Sequence, residues 1–229
     1  MKKNNLYKLA KKIILGGSML LSKRPELYLP DLWPSYFSKA KETYVWDMEN
    51  KKYTDMICAV GQNTLGYTNK KVDTKIISVI KNSNMSTLNC PEEVELSKKL
   101  ISIHPWAGMA KYARSGGEAN SIAIRIARAA SKKDHVAICG YHGWHDWYLS
   151  ANLSSTKKLD NHLLPGLNPL GVPKNLKNLT HPFEYNKLDD LLKIVKKYDI
   201  GTIKMEVSRN QLPNKNFLKE VRNLCNKKK

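Results

Sequence analysis

Three segments of the 229-residue chain combine residue types and spacings able to do chemistry. The first is Arg114-Ser115-Gly116-Gly117-Glu118-Ala119, between a strand candidate and a helix candidate. Two glycines let the backbone approach a ligand closely, a helix start offers unpaired N–H groups to an anion, and Ser115 adds a hydroxyl donor. The segment suits a phosphate, although a Gly-Gly helix entry also serves as plain turn chemistry. No Gly-Lys-Ser/Thr follows, so it is not a Walker loop. The second segment is Gly140-Tyr141-His142-Gly143-Trp144-His145-Asp146-Trp147, directly after the apolar run 136–139. Side chains at the C-terminal ends of parallel strands face the ligand crevice. Tyr141 offers a plane for stacking on a flat cofactor, or else belongs to an aromatic-rich core edge. His142, His145 and Asp146 have no further His or Cys at ligand spacing, so no metal is expected. The third is Met205-Glu206-Val207, where Glu206 either anchors a polar network in the crevice or pairs with one of the many lysines.

The elements that must position these residues follow from periodicity. Apolar residues at helical spacing predict helices around Val72–Ile80, from Pro91, over 118–130 (Ile122, Ala123, Ile126, Ala130), through Leu188–Val195 and from Phe217. Glu92, Glu93 and Glu95 suit the positive end of the Pro91 helix. Strands are predicted at Met109–Ala113, Val136–Cys139 and Gly201–Val207, and strands alternating with helices imply an α/β unit with a largely parallel sheet. Upstream, residues 22–40 read as extended and irregular, rich in Pro and aromatics. Tyr44–Asp47 and Tyr53–Met56 flank a turn and predict a β-hairpin.

Charge is the unusual bulk property. Thirty-nine Lys+Arg against 20 Asp+Glu give +19. Such a charge invites a polyanion reading, yet Lys outnumbers Arg 33 to 6 and is scattered in pairs along the chain. Arg is the side chain that grips phosphates bidentately and reads bases, so no nucleic-acid partner is expected. No apolar run reaches spanning length, so no membrane partner is expected either. Cys58, Cys90, Cys139 and Cys225 form no CxxC pair and predict free thiols in a reducing cytoplasm. The basic start and apolar 13–21 imitate a signal peptide without a small-residue cleavage site. An amphipathic helix ending at Gly16-Gly17 is the better reading.

In combination and in order, these segments resemble the class III (fold-type I) pyridoxal-phosphate (PLP) aminotransferases, in particular the glutamate-1-semialdehyde 2,1-aminomutase-like branch. The resemblance runs through Gly16-Gly17, Val45-Trp46-Asp47, Tyr53-Thr54-Asp55, Leu65-Gly66-Tyr67 and the Cys90–Leu96 helix start. It continues through Arg114–Ala119, Tyr141–Asp146, Met205-Glu206 and Phe217–Arg222. It implies an incomplete PLP-transferase fold: three αβα layers around a mostly parallel sheet, preceded by an N-terminal helix and β-hairpin segment. Residues 1–67 would form that segment, and 68–229 the first part of the PLP-binding large domain. It implies PLP as cofactor, with Ser115, Gly116 and Gly117 holding its phosphate, Tyr141 stacked on its ring, His142 beside it and Glu206 nearby. Arg24 would bind the substrate carboxylate.

This sequence departs from the family in three ways. Val207 stands where the family has proline after the glutamate, and Val60 lies near the place of an aminomutase pocket tryptophan. The strands carrying the aspartate for the pyridine nitrogen and the lysine that forms the Schiff base would lie beyond residue 229. The resemblance therefore implies amino-group transfer on a small amino or keto compound, by a truncated chain inactive alone and with no catalytic residue of its own. It further implies a cytoplasmic homodimer, or a dimer with a full-length homologue. The alternatives are a non-catalytic remnant serving as such a partner and, third, a basic nucleic-acid-binding protein.

Overall fold

Local sequence accounts for most elements of the structure, a computed structural model that describes residues 3–30, 32–83, 85–155, 157–162, 165–208 and 211–228. The chain divides into two compact units, Met1–Lys98 and Lys99–Lys229.

The first unit opens with amphipathic helix α1 (Lys3–Ile13), which buries Ala10 and Tyr7. Gly16 and Gly17 follow at positive φ (76° and 73°), the left-handed region where glycine bears no Cβ penalty. Strands β1 (Phe37–Lys41), β2 (Tyr44–Asp47) and β3 (Lys52–Thr54) form an antiparallel meander. The hairpin is as expected, whereas β1 lies partly in the stretch read as irregular. Pairing with β2 organises it, Ala40 opposite Val45 and Lys41 opposite Tyr44. Buried Asp47 ties the β2–β3 turn. Its carboxylate accepts the N–H groups of Glu49 and Lys51, each at 2.9 Å, and the Tyr53 hydroxyl at 3.0 Å.

The single turn α2 (Cys58–Gly61) is left-handed. Cys58, Ala59, Val60 and Gly61 have φ of 52°, 52°, 60° and 81°. The Asp55 carboxylate accepts Ile57 N–H (2.8 Å) and Cys58 N–H (3.2 Å) and is bonded by the Tyr67 hydroxyl, which holds this conformation. Helix α3 (Lys70–Lys81) starts at Asn69, whose side chain accepts from Lys71 N–H and Val72 N–H. Its predicted apolar stripe is exposed at Val72, Ile76 and Ile80. Helix α4 (Pro91–Ile103) carries the chain onward to the second unit.

In that unit the predicted strand at Met109–Ala113 does not form. A strand is completed by a hydrogen-bonded neighbour, and none pairs with this segment among the described residues. Helix α5 (Gly116–Ser131) leads into β4 (His135–Cys139), the one-turn α6 (Asp146–Leu149), β5 (Thr180–Pro182), α7 (Leu188–Lys197), β6 (Ile200–Met205) and α8 (Phe217–Lys227). The strands form a parallel sheet in the order β5-β4-β6.

Alternation along β4 makes the layers. Val136 and Ile138 pack with Ile124 of α5 and with Trp147, Tyr148, Ala151 and Leu159. Ala137 and Cys139 point the other way, onto Phe183, Leu191 of α7, and Phe217 and Val221 of α8. A strand apolar on both faces belongs in a sheet covered on both sides, and the result is the expected three-layer αβα arrangement.

Candidate functional site

Two loops meet at the C-terminal end of β4. Ser115 caps α5 in a reciprocal box: its hydroxyl oxygen accepts Glu118 N–H (3.3 Å), while the Glu118 carboxylate accepts Arg114 N–H (2.9 Å) and Ser115 N–H (3.0 Å). The N–H groups of Gly116 and Gly117, in the first helical turn, have no carbonyl four residues back inside the helix to bond. The Ser115 hydroxyl keeps its own hydrogen to donate. Beyond Gly116 the structure is open, and a Cβ there would meet nothing within 4 Å.

The second loop, 140–145, presses against this helix start. A Cβ on Gly143 would lie 3.1 Å from the Gly117 Cα, and one on Gly117 would lie 2.9 Å from the His145 ring. Glycine is required at both positions for the loops to touch. Gly140 has φ +100°, and a Cβ on it would collide with the Glu206 carboxylate at 2.6 Å. Ser115, Gly116, Gly117, Tyr141, His142 and Glu206 are thus assembled by α5, the β4–α6 loop and the end of β6. Tyr141 is half-buried, packs edge-on against Tyr148 at 6.0 Å, and has its phenol pKa raised by burial. Arg24 belongs to the first unit, at a cavity also lined by Tyr7, Lys11, Gly16, Gly17 and Glu26. Its Nε is buried and has no hydrogen-bond partner among the described residues.

His142 is 2 % exposed. Its Nε2 lies 3.1 Å from the Cys139 carbonyl, its own carbonyl accepts from Asn120 Nδ2 (3.1 Å), and Trp147 stacks on the ring at 6.3 Å. Burial foremost, and then the charge of Lys204, lower its pKa to about 4. The Cys139 thiol is pushed up to about 12 by burial and by Glu206 and Glu184, so it stays protonated. A cleft of about 270 Å³ opens here, its lining including Gly140, His162, Glu184, Tyr185 and Glu206. His162 escaped the sequence reading because nothing flags a lone histidine in an irregular segment. Its Nδ1 accepts Gly140 N–H at 2.9 Å and holds the loop's first residue. Lys204 did leave a signal, as a cation inside an apolar strand run.

Fold and site together define an αβα domain with an open helix start and an aromatic loop beside it. The family model for class-III aminotransferases matches residues 31–229, and the chain belongs to that family. It is 31% identical over 97% of its length to the 3-aminobutyryl-CoA aminotransferase of Cloacimonas acidaminovorans, covering 51% of that protein. It is 34% identical over 98% of its length to the glutamate-1-semialdehyde 2,1-aminomutase of Wigglesworthia glossinidia brevipalpis, covering 52%. The chain therefore spans about half the length of these curated relatives. Among solved structures, an omega-transaminase from Sphaerobacter thermophilus superposes over 99% of the chain and 53% of its own, with TM-score 0.83 and 16% identity. A transaminase with PLP bound matches the same shares at TM-score 0.81 and 18% identity. Likeness at such identities shows the fold, that of the PLP-dependent transferases. No helix among the described residues is long and apolar enough to cross a membrane.

Proposed function

We propose that this chain takes part in PLP-dependent amino-group transfer, as aminotransferase or 2,1-aminomutase, on a small amino or keto compound. The observation that carries the reading is the contact of the Gly116-Gly117 helix start with the Gly140–His145 loop, which leaves open space over Gly116. A phosphate fits that space: two N–H groups, the Ser115 hydroxyl and the positive end of a 16-residue helix converge on it. Bound there, PLP would supply the electron-withdrawing ring and carbonyl that carry an amino group between compounds. Tyr141 would bound the ring on one face, His142 would brace that loop, and Glu206 would place a carboxylate at the cleft floor. Arg24 would take the substrate carboxylate. In this reading residues 68–229 supply the first part of the cofactor-binding domain and 1–67 the segment before it. Cytoplasmic location and pairing, with a second copy or a longer homologue, complete the proposal.

Gly116→Ala tests the cradle, because its methyl enters the space proposed for phosphate without touching the protein. PLP affinity, followed by absorbance titration of the chain, should fall about tenfold, the scale of one charge-assisted hydrogen bond. Wild-type affinity in that variant would remove the cradle from the proposal.

A further inference from the structure

We infer that Lys204 is a positioning residue of this cleft, acting through His142 to hold the imidazole in one tautomer and thereby fix the loop that carries Tyr141. The inference rests on the reading of Tyr141 and His142 as the wall of the cofactor site.

Lys204 lies in β6, whose neighbouring residues Ile203 and Met205 pack into the core on the α7–α8 side. A long cationic side chain in a covered strand loses rotamer freedom and hydration. Side chains alternate along a strand, so Lys204 points to the opposite face, the one nearer α5. There the Lys204 Nζ lies 3.5 Å from the His142 Nδ1, at the long end of hydrogen-bond reach. The other ring nitrogen faces the Cys139 carbonyl at 3.1 Å. A carbonyl only accepts, so Nε2 carries the hydrogen and the neutral ring presents the Nδ1 lone pair to Lys204. An ammonium donates to that lone pair, and an aliphatic residue in its place would take that donor away.

The Cys139 carbonyl favours the same tautomer from the other side of the ring, and the Lys204 side chain completes the pair; the remaining surroundings act elsewhere. Asn120 of α5 holds the His142 main chain, while Trp147 and Tyr148 of α6 hold the ring by stacking and edge contact. His162 and Glu206 are the other titratable groups near the pair. Burial lowers the Lys204 pKa and Glu206 raises it again. Lys204 and His142 together then carry one positive charge, on the lysine, and the ring next to Tyr141 stays neutral and fixed.

Long-range ¹H–¹⁵N spectra of the labelled chain report both tautomer and titration of His142. The wild type should show the Nε2–H form from about pH 8 to about pH 5, the neutral range left by its depressed pKa. In Lys204→Met the Nδ1–H form should become populated and the titration midpoint should rise by about one pH unit, as a like charge is removed. PLP affinity should fall about tenfold, the step expected for one lost ordering contact, while inorganic phosphate binding at Gly116-Gly117 stays unchanged. Lys204→Arg should keep the wild-type spectrum. Lys204→Gln, shorter and polar, replaces the Met variant if that one fails to fold, and should shift His142 the same way. An unchanged His142 spectrum in the uncharged variants overturns the inference. If the wild type binds no PLP, the cofactor reading falls instead, and the tautomer spectrum still decides whether Lys204 sets His142.

Discussion

His142 and His181 are both held neutral by burial, which gives the fold an acid limit. His181 sits between the His135 ring, Nδ1 to Nε2 at 3.0 Å, and the stacked Tyr198 ring at 3.8 Å. Burial first, and then the charges of His135, Lys158 and Lys197, lower its pKa to about 4. Both histidines therefore protonate more readily in the unfolded chain, whose ordinary value is 6.5. Between those values the unfolded state binds more protons, so stability is complete above pH 6.5 and declines as pH falls toward 4. The two shifts together amount to a few kcal/mol, roughly 1.4 per unit. Urea midpoints at pH 7.5 and 4.5 should differ accordingly, and equal midpoints would contradict the burial of both rings. At this scale the sequence was readable where chemistry repeats as a pattern. The helix start at Ser115–Gly117 reads as an anion site, and the structure adds a capping box between Ser115 and Glu118, whose three-residue spacing is itself a sequence pattern. His162 and the Lys204–His142 approach join residues far apart in the chain, which spacing does not encode.

Helices and strands with strong periodicity stand where the sequence puts them, and exceptions have local causes. β4 was legible because four consecutive apolar residues suit a strand covered on both faces. β5, Thr180–Pro182, is three residues long and carries no period of its own, so only its pairing with Val136–Ile138 defines it. Met109–Ala113 has strand-like composition, but no strand pairs with it among the described residues. The left-handed turn Cys58–Gly61 was invisible because only its last residue is glycine. Each non-glycine residue there costs about 1–2 kcal/mol in conformation. Val60 is 59% exposed, so its side chain recovers little of that by packing. Val60→Gly should raise unfolding stability by up to about 1 kcal/mol after the entropy cost of the glycine, measured by urea denaturation. A loss would mean the side chain packs more than its exposure indicates. Leu191, fully buried under β4, supplies the opposite case: Leu191→Ala should cost about 2–5 kcal/mol in the same assay. A cost under 1 kcal/mol would place α7 outside the cooperative core.

For the molecule as a whole, the +19 charge is a property of its surface. Lysines are scattered in pairs along the chain, and ion pairs such as Lys133–Asp199 and Lys187–Glu184 are exposed, where such pairs contribute little. Apolar area is the stronger influence on association. Ile76 and Ile80 of α3 and Val94 and Leu96 of α4 are exposed, and among the described residues β6 pairs only through β4. Open edges and apolar stripes favour association with another chain. Light scattering coupled to size exclusion should therefore find a mass above that of the monomer. A monomer with one sharp unfolding transition would speak against it. The sheet order β5-β4-β6 also sets a clock. β4 is bonded on both sides and covered on both faces, so its backbone hydrogens can leave only when the whole second unit opens. In deuterated water Val136–Cys139 should be the last amides to exchange, at a rate that measures the lifetime of the folded unit.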